Sequence, residues 1–236
     1  MARILKVDNA QLKRFTFKKK RPIAKDIVVY FLIVCEGEKT EPNYFRAFPK
    51  QVGKTIYDIT FEGGGINTIG VVEKAIELRN KSKLPYDRVW AVFDRDSFQA
   101  SSFNNAILKA KANNISCAWS NEAFELWYLL HFQLRVTAMS RFEYKNAIET
   151  AINTSKQRSK KPFVYLKNNP DMYEILSKFG NQELAIRRAK ELNETFIGEN
   201  FANYNPNTLV FKLVEELIGK SLSLNNEIKE KFNNGK

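Results

Sequence analysis

The chain has 236 residues, 44% of them hydrophobic, which is enough apolar material for a packed core and too much for disorder along the whole length. Lys and Arg number 38 against 26 Asp and Glu, a formal charge of +12, which favours polyanionic partners and makes nucleic acid the first candidate. No apolar run approaches the roughly 20 residues that cross a bilayer, and the N-terminus lacks the apolar centre of a secretory signal, so a cytoplasmic protein without a membrane partner is expected.

Residues 1–25 form a basic leader containing "KKKRP". "DIVVYFLIVC" follows as a continuous apolar strand, the pattern of a strand covered on both faces. "TEPNYFRAFPKQV" reads as a helix in which Thr40 caps, Pro42 suits the first turn, and Tyr44, Phe45 and Phe48 share a face. "TIYDITFEG" alternates as a strand, "NTIGVVEKAIELRNK" has helical spacing, "DRVWAVFDRD" is a second apolar strand, "SSFNNAILKAKANN" a helix and "ISCAWS" a short strand. Strands alternating with helices imply a parallel sheet with right-handed crossovers, so residues 26–120 are expected to form an α/β core. Residues 121–220 change character: "NEAFELWYLLHF", "SRFEYKNAIETAIN", "DMYEILSKF", "NQELAIRRAKELNETF" and "PNTLVFKLVEELIGK" read as helices packed on that core, with a polar tail at 221–236. Cys35 and Cys117, without CxxC spacing or a histidine cluster, read as inert core residues rather than a zinc site or disulfide.

The acids carry the chemistry. Ligands of open parallel sheets bind outside the carboxyl ends of the strands. Glu36 lies at one such end, and Asp94 and Asp96 lie at another, projecting the same way along extended chain. If the two strands are neighbours, three carboxylates converge and raise one another's pKa, a cost that a divalent cation relieves. Hard oxygen ligands without a nearby His or Cys favour Mg²⁺, or Mn²⁺ in its place. With a basic surface, this suggests phosphodiester chemistry.

"IVCEGEKTEPNYF" followed by "VFDRDSF" resembles the TOPRIM arrangement of a glutamate after the first strand and a D-x-D after a later one. Together with "SNEAFELWYLLHF" and "NPNTLVFKLVEEL", these motifs resemble the RloB family, also called RloB/AbiL-type TOPRIM proteins, from about Ile27 to Leu217. The resemblance implies a TOPRIM-like Rossmannoid parallel sheet flanked by helices, with a C-terminal helical elaboration. It also implies a place in bacterial defence against phages and foreign DNA, including abortive infection, beside an ABC/AAA-type ATPase, and metal-dependent nuclease activity on DNA or RNA, with tRNA one option. Glu36 would then be general base or metal ligand, and Asp94 and Asp96 the metal-binding pair. Topoisomerase activity is not expected, because the chain has no room for a strand-passage domain.

Glu122 and Glu125 stand where ligands of a second metal could enter, or serve as acids favouring a helix start. Glu38 and Glu41 read more weakly, with Glu41 a complement to its helix dipole. Lys39 and Arg95 could touch phosphate or balance the acids. His131 reads as structural, and "FEGGGIN", lacking the Lys-Ser/Thr of a P-loop, as a turn. In the loop 156–167, Lys156, Arg158, Lys160, Lys161 and Lys167 alternate with Phe163 and Tyr165. That mixture suits phosphates and unstacked bases, or simply a solvated loop. Two rivals stand beside the nuclease. One is a D-x-D-x-T/S phosphatase, which leaves Glu36 without a role. The other is a catalytically silent module that binds nucleic acid or regulates an ATPase. Self-association is compatible with either.

Overall fold

The computed structural model describes residues 27–64, 67–83, 85–95, 99–156 and 161–234, except for the side chains of the last three. It is an α/β fold around one six-stranded sheet, ordered β2-β3-β1-β4-β5-β6. The strands are β1 (Ile27–Cys35), β2 (Gln51–Val52), β3 (Thr55–Gly63), β4 (Arg88–Asp94), β5 (Ser116–Asn121) and β6 (Asn207–Thr208). The four central strands run parallel, as the alternation of strands and helices predicts. The two edge strands are antiparallel, so the sheet is mixed rather than parallel. Each edge strand is two residues long, too short for a period to be read from sequence. β2 joins β3 by a tight turn in which Gly53 takes a φ of 61°, a conformation glycine adopts without steric cost.

β1 is apolar without alternation because both its faces are covered. Val29, Phe31, Ile33 and Cys35 face one core, Leu32 and Val34 the other. The smaller core is closed by α2 (Thr68–Lys81) and α3 (Ala100–Ala112), through Val71, Val72, Ala75, Phe103, Ala106 and Ala110. The larger core takes residues from α1 (Thr40–Arg46), α4 (Glu125–Leu130), α5 (Arg141–Ser155), α6 (Met172–Phe179), α7 (Gln182–Glu194) and α8 (Val210–Leu217). A last helix, α9 (Leu222–Asn234), occupies most of the expected polar tail and buries Leu224. Among the described residues, no helix is long and apolar enough to cross a membrane.

Two expected helices are shorter than their patterns. The helix beginning at Thr40 ends at Arg46, before Pro49, which lacks the amide that would continue it. The helix expected from Asn121 begins at Glu125, because Asn121 is hydrogen-bonded into β5 opposite Asn207. Cys35 is fully buried and its thiol is pushed well up by burial; Cys117 is half-buried and pushed up to about 12 by the same cause, so both are poor nucleophiles.

Candidate functional site

β1 and β4 are neighbours, with Cys35 opposite Val92, so Glu36 and Asp94 emerge at one edge of the sheet. The ladder continues one step beyond β1, where the Glu36 amide donates to the Val92 carbonyl at 2.9 Å. The Glu36 carboxylate turns back and accepts the Asp94 amide through Oε2 at 3.0 Å. The convergence expected of these two residues is therefore present. Asp96 lies outside the described residues.

α1 brings a third carboxylate. Its start is packed by Tyr44, whose hydroxyl accepts the Trp127 indole N–H at 2.7 Å and whose ring meets Phe45, Phe48, Phe124 and Tyr128 edge-on or tilted. α1 and α4 are thereby locked together, and Glu41 is carried inward with Tyr44 and Phe45, at helical spacings of three and four. Glu41 is 6% exposed and its Oε2 has no hydrogen-bond partner. Burial, then the nearby Glu125 and Glu36 charges, raise its carboxyl from the ordinary 4.5 to about 7. Gly37 lies close against this group, and a Cβ there would force the Glu41 carboxylate to shift. Glu41 is thus more than a complement to the helix dipole. The spacing that buries it was present in the sequence, but the surface it faces was not.

Asp94 shares this environment. Its pKa is raised by burial first, then by Glu41, Glu125 and Glu36, against a hydrogen bond from the Phe124 amide. Its Oδ1 is buried without a hydrogen-bond partner, and its Oδ2 lies 3.9 Å from Nη2 of Arg141, the first residue of α5. Glu125 lines the same cavity and accepts the Tyr165 hydroxyl at 2.9 Å. Glu122 is not among the lining residues; its charge acts on Tyr144, on the α5 side.

The cavity has a volume of about 630 Å³ and is lined by five carboxylates, Glu36, Glu38, Glu41, Asp94 and Glu125, and three cations, Lys39, Arg141 and Lys167. The exposed Glu38, Lys39 and Lys167 form its rim with Arg141. Asn168 closes the rim: it accepts the Thr40 hydroxyl at 2.5 Å, and its carbonyl accepts the Asn43 amide. Thr40, read as the helix cap, is instead the first helical residue and serves as this tether. Arg95 and Lys156 are not among the lining residues. Arg95 donates its amide to Ser120, while Lys156 donates to the Lys161 carbonyl and sits over the Phe179 ring. Arg158 and Lys160 lie outside the described residues. The aromatics of that segment turn inward: Tyr165 is 5% exposed and Phe163 packs against the larger core, so neither is presented to a base. His131 is structural, with Nδ1 2.9 Å from the Trp127 carbonyl and burial lowering its pKa to about 4.

Among the described residues, no three His, Cys, Asp or Glu side chains are gathered closely enough to form a metal cage. Mg²⁺ does not require one, because it keeps several waters and commonly takes one or two protein carboxylates together with phosphate oxygens. The buried, unpartnered oxygens of Asp94 and Glu41 are hard donors in a site that disfavours their ionisation, and they fit such an ion. A family model described as RloB-like protein matches residues 31–217, most of the chain. No curated protein and no solved structure matches it.

Proposed function

The chain belongs to the family of RloB-like proteins, and from that premise we propose that it is a TOPRIM-like, metal-dependent nuclease acting on DNA or RNA, tRNA among the options. In this reading it is a cytoplasmic effector of anti-phage defence and abortive infection, working beside an ABC/AAA-type ATPase. One observation carries the proposal: Glu36 and Asp94, from neighbouring central strands, meet at the carboxyl end of the sheet in an acidic cavity that Lys39, Arg141 and Lys167 also line. Carboxylates alone would repel a nucleic acid. Three cations lining the same cavity suit a phosphate delivered to a hydrolytic centre.

Asp94, with Glu36 and Asp96, would hold Mg²⁺ or Mn²⁺, and Glu41 and Glu125 stand where they could complete the set. When bound, the ion supplies charge neutralisation at the phosphoryl oxygens and a lowered pKa for water. The chain's own residues do the rest. Lys39, Arg141 and Lys167 draw in and orient the phosphodiester. The Asp94 amide fixes the rotamer of Glu36, which accepts the proton of the attacking water. A water oxygen to phosphorus bond forms, a phosphorus to ester oxygen bond breaks, and the departing oxygen takes up a proton.

The test is incubation of single-stranded and duplex DNA and RNA with Mg²⁺ or Mn²⁺, with and without the neighbouring ATPase. Cleavage that chelator abolishes and that Asp94→Asn reduces by a factor of about 10³ or more is expected, because an Asn cannot supply the charge. The alternative is a catalytically silent module that binds nucleic acid or regulates an ATPase. Nucleic-acid binding with no cleavage under any of these conditions would establish that alternative.

A further inference from the structure

We propose that the cavity and the solvent face beside it select unpaired nucleotides, with Arg141 holding a phosphate and Phe142 stacking on the adjoining base. The inference rests on the reading above for the cavity as a phosphate site. It names the substrate class that this reading leaves open.

Arg141 and Phe142 are consecutive residues of the first turn of α5, a helix started by a capping box between Ser140 and Glu143. That turn is therefore held by its own side chains. The Arg141 guanidinium reaches into the cavity, 3.9 Å from the Asp94 carboxylate. Phe142 instead points to solvent and is 86% exposed. It is the only aromatic side chain among the exposed large apolar residues described. The fold buries the other candidates for stacking: Tyr165 hydrogen-bonds Glu125, and Phe163 packs inward. The core does not use Phe142, since α5 turns Tyr144, Ile148 and Ile152 to it.

Phe142 leaves the helix about 100° round from Arg141 and does not line the cavity, so the two serve one nucleotide chain that runs from the cavity mouth onto the adjoining solvent face, a cation for the backbone and a π-face for any base. A duplex keeps its bases stacked on one another and would leave Phe142 uncovered. An unpaired nucleotide turned out beside the bound phosphate would cover it.

The test is fluorescence anisotropy of full-length Asp94→Asn protein with a labelled mixed-sequence oligonucleotide, as DNA and as RNA, single-stranded and annealed to its complement. Tighter binding of the single strand is expected. Adding Phe142→Ala should weaken single-strand binding roughly tenfold and leave duplex binding unchanged, whereas Phe142→Trp should retain it. Phe142 is on the surface, so thermal midpoints should be the same throughout. Equal affinity for single strand and duplex, or single-strand binding untouched by Phe142→Ala, overturns the proposal; in that event Phe142 is left as a contact for a protein partner. Metal-dependent cleavage that prefers duplex would sink this inference while sparing the nuclease reading. Loss of single-strand binding in Phe142→Ala, with no cleavage by the wild type, would do the reverse.

Discussion

At the scale of single residues, Glu41 shows how position in the fold changes what a carboxylate is. In an exposed first turn it would be an ordinary acid worth a few tenths of a kcal/mol against the helix dipole. Buried beside Asp94 and Glu125, it keeps its proton up to about pH 7. The consequence for stability has a definite sign. Between pH 4.5 and 7 the folded chain holds a proton that the unfolded chain has already released, so stability falls as pH rises through that window. The fall attributable to Glu41 is on the order of 3 kcal/mol. Urea unfolding in chelator from pH 4.5 to 8 should show the decline. Glu41→Gln should flatten part of it, leaving the share due to Asp94, and should be the more stable protein at pH 8. An unchanged pH profile would mean that Glu41 is solvated. Of the three acids that sequence singled out at strand ends, Glu36 and Asp94 fall among the described residues, and they could be found because a strand's end is visible in its hydropathy. Glu41 and Arg141 could not, because the surfaces facing them come from residues far away in the chain.

Among the elements, the long motifs of the chain have a packing reason. "EPNYF" and "FELWYLL" supply the two sides of one aromatic contact, in which Tyr44 is gripped by Trp127, Phe124 and Tyr128. That contact is what aims Glu41 and Glu125 into one cavity. At the opposite end of the sheet, Glu216 of α8 accepts the Trp90 indole at 2.8 Å and Arg88 Nε at 3.0 Å, while Arg88 also reaches Glu227 of α9 at 2.7 Å. Lys231 of α9 pairs with Asp87. Removing Glu216 leaves a buried indole N–H and much of a guanidinium charge unmatched. Glu216→Ala should therefore cost about 2–3 kcal/mol, seen as a lower urea midpoint with an unchanged slope. The central strands were legible because both their faces are buried. Helix ends and edge strands were not: Asn121 reads as the start of a helix, yet its backbone is claimed by β5 through Asn207.

For the whole molecule, the formal charge of +12 hides a local arrangement, since the cavity at the strand ends gathers five carboxylates with the cations Lys39, Arg141 and Lys167. The rim should dominate the salt response. Plotted as log affinity against log salt, single-strand binding should lose about 0.7 of slope for each phosphate contact removed. Arg141→Ala and Lys167→Ala should each show that loss. Lys156→Ala should not, because that lysine is occupied by the Lys161 carbonyl and the Phe179 ring. Equal slopes for all three would indicate a diffuse basic surface rather than a built rim. The sequence by itself determined the α/β class, the parallel direction of the four central strands and the acids Glu36 and Asp94 at two of their tips. These follow from local periodicity and from the rule that parallel sheets bind ligands at their carboxyl ends. Only the tertiary structure decided that the sheet is closed by two antiparallel edges, that Glu41 and Arg141 join the site, and that Tyr165 and Phe163 turn inward while Phe142 stays in solvent. Those outcomes depend on which surfaces meet across long separations in the chain, and a local pattern of apolar and polar residues does not encode its distant partner.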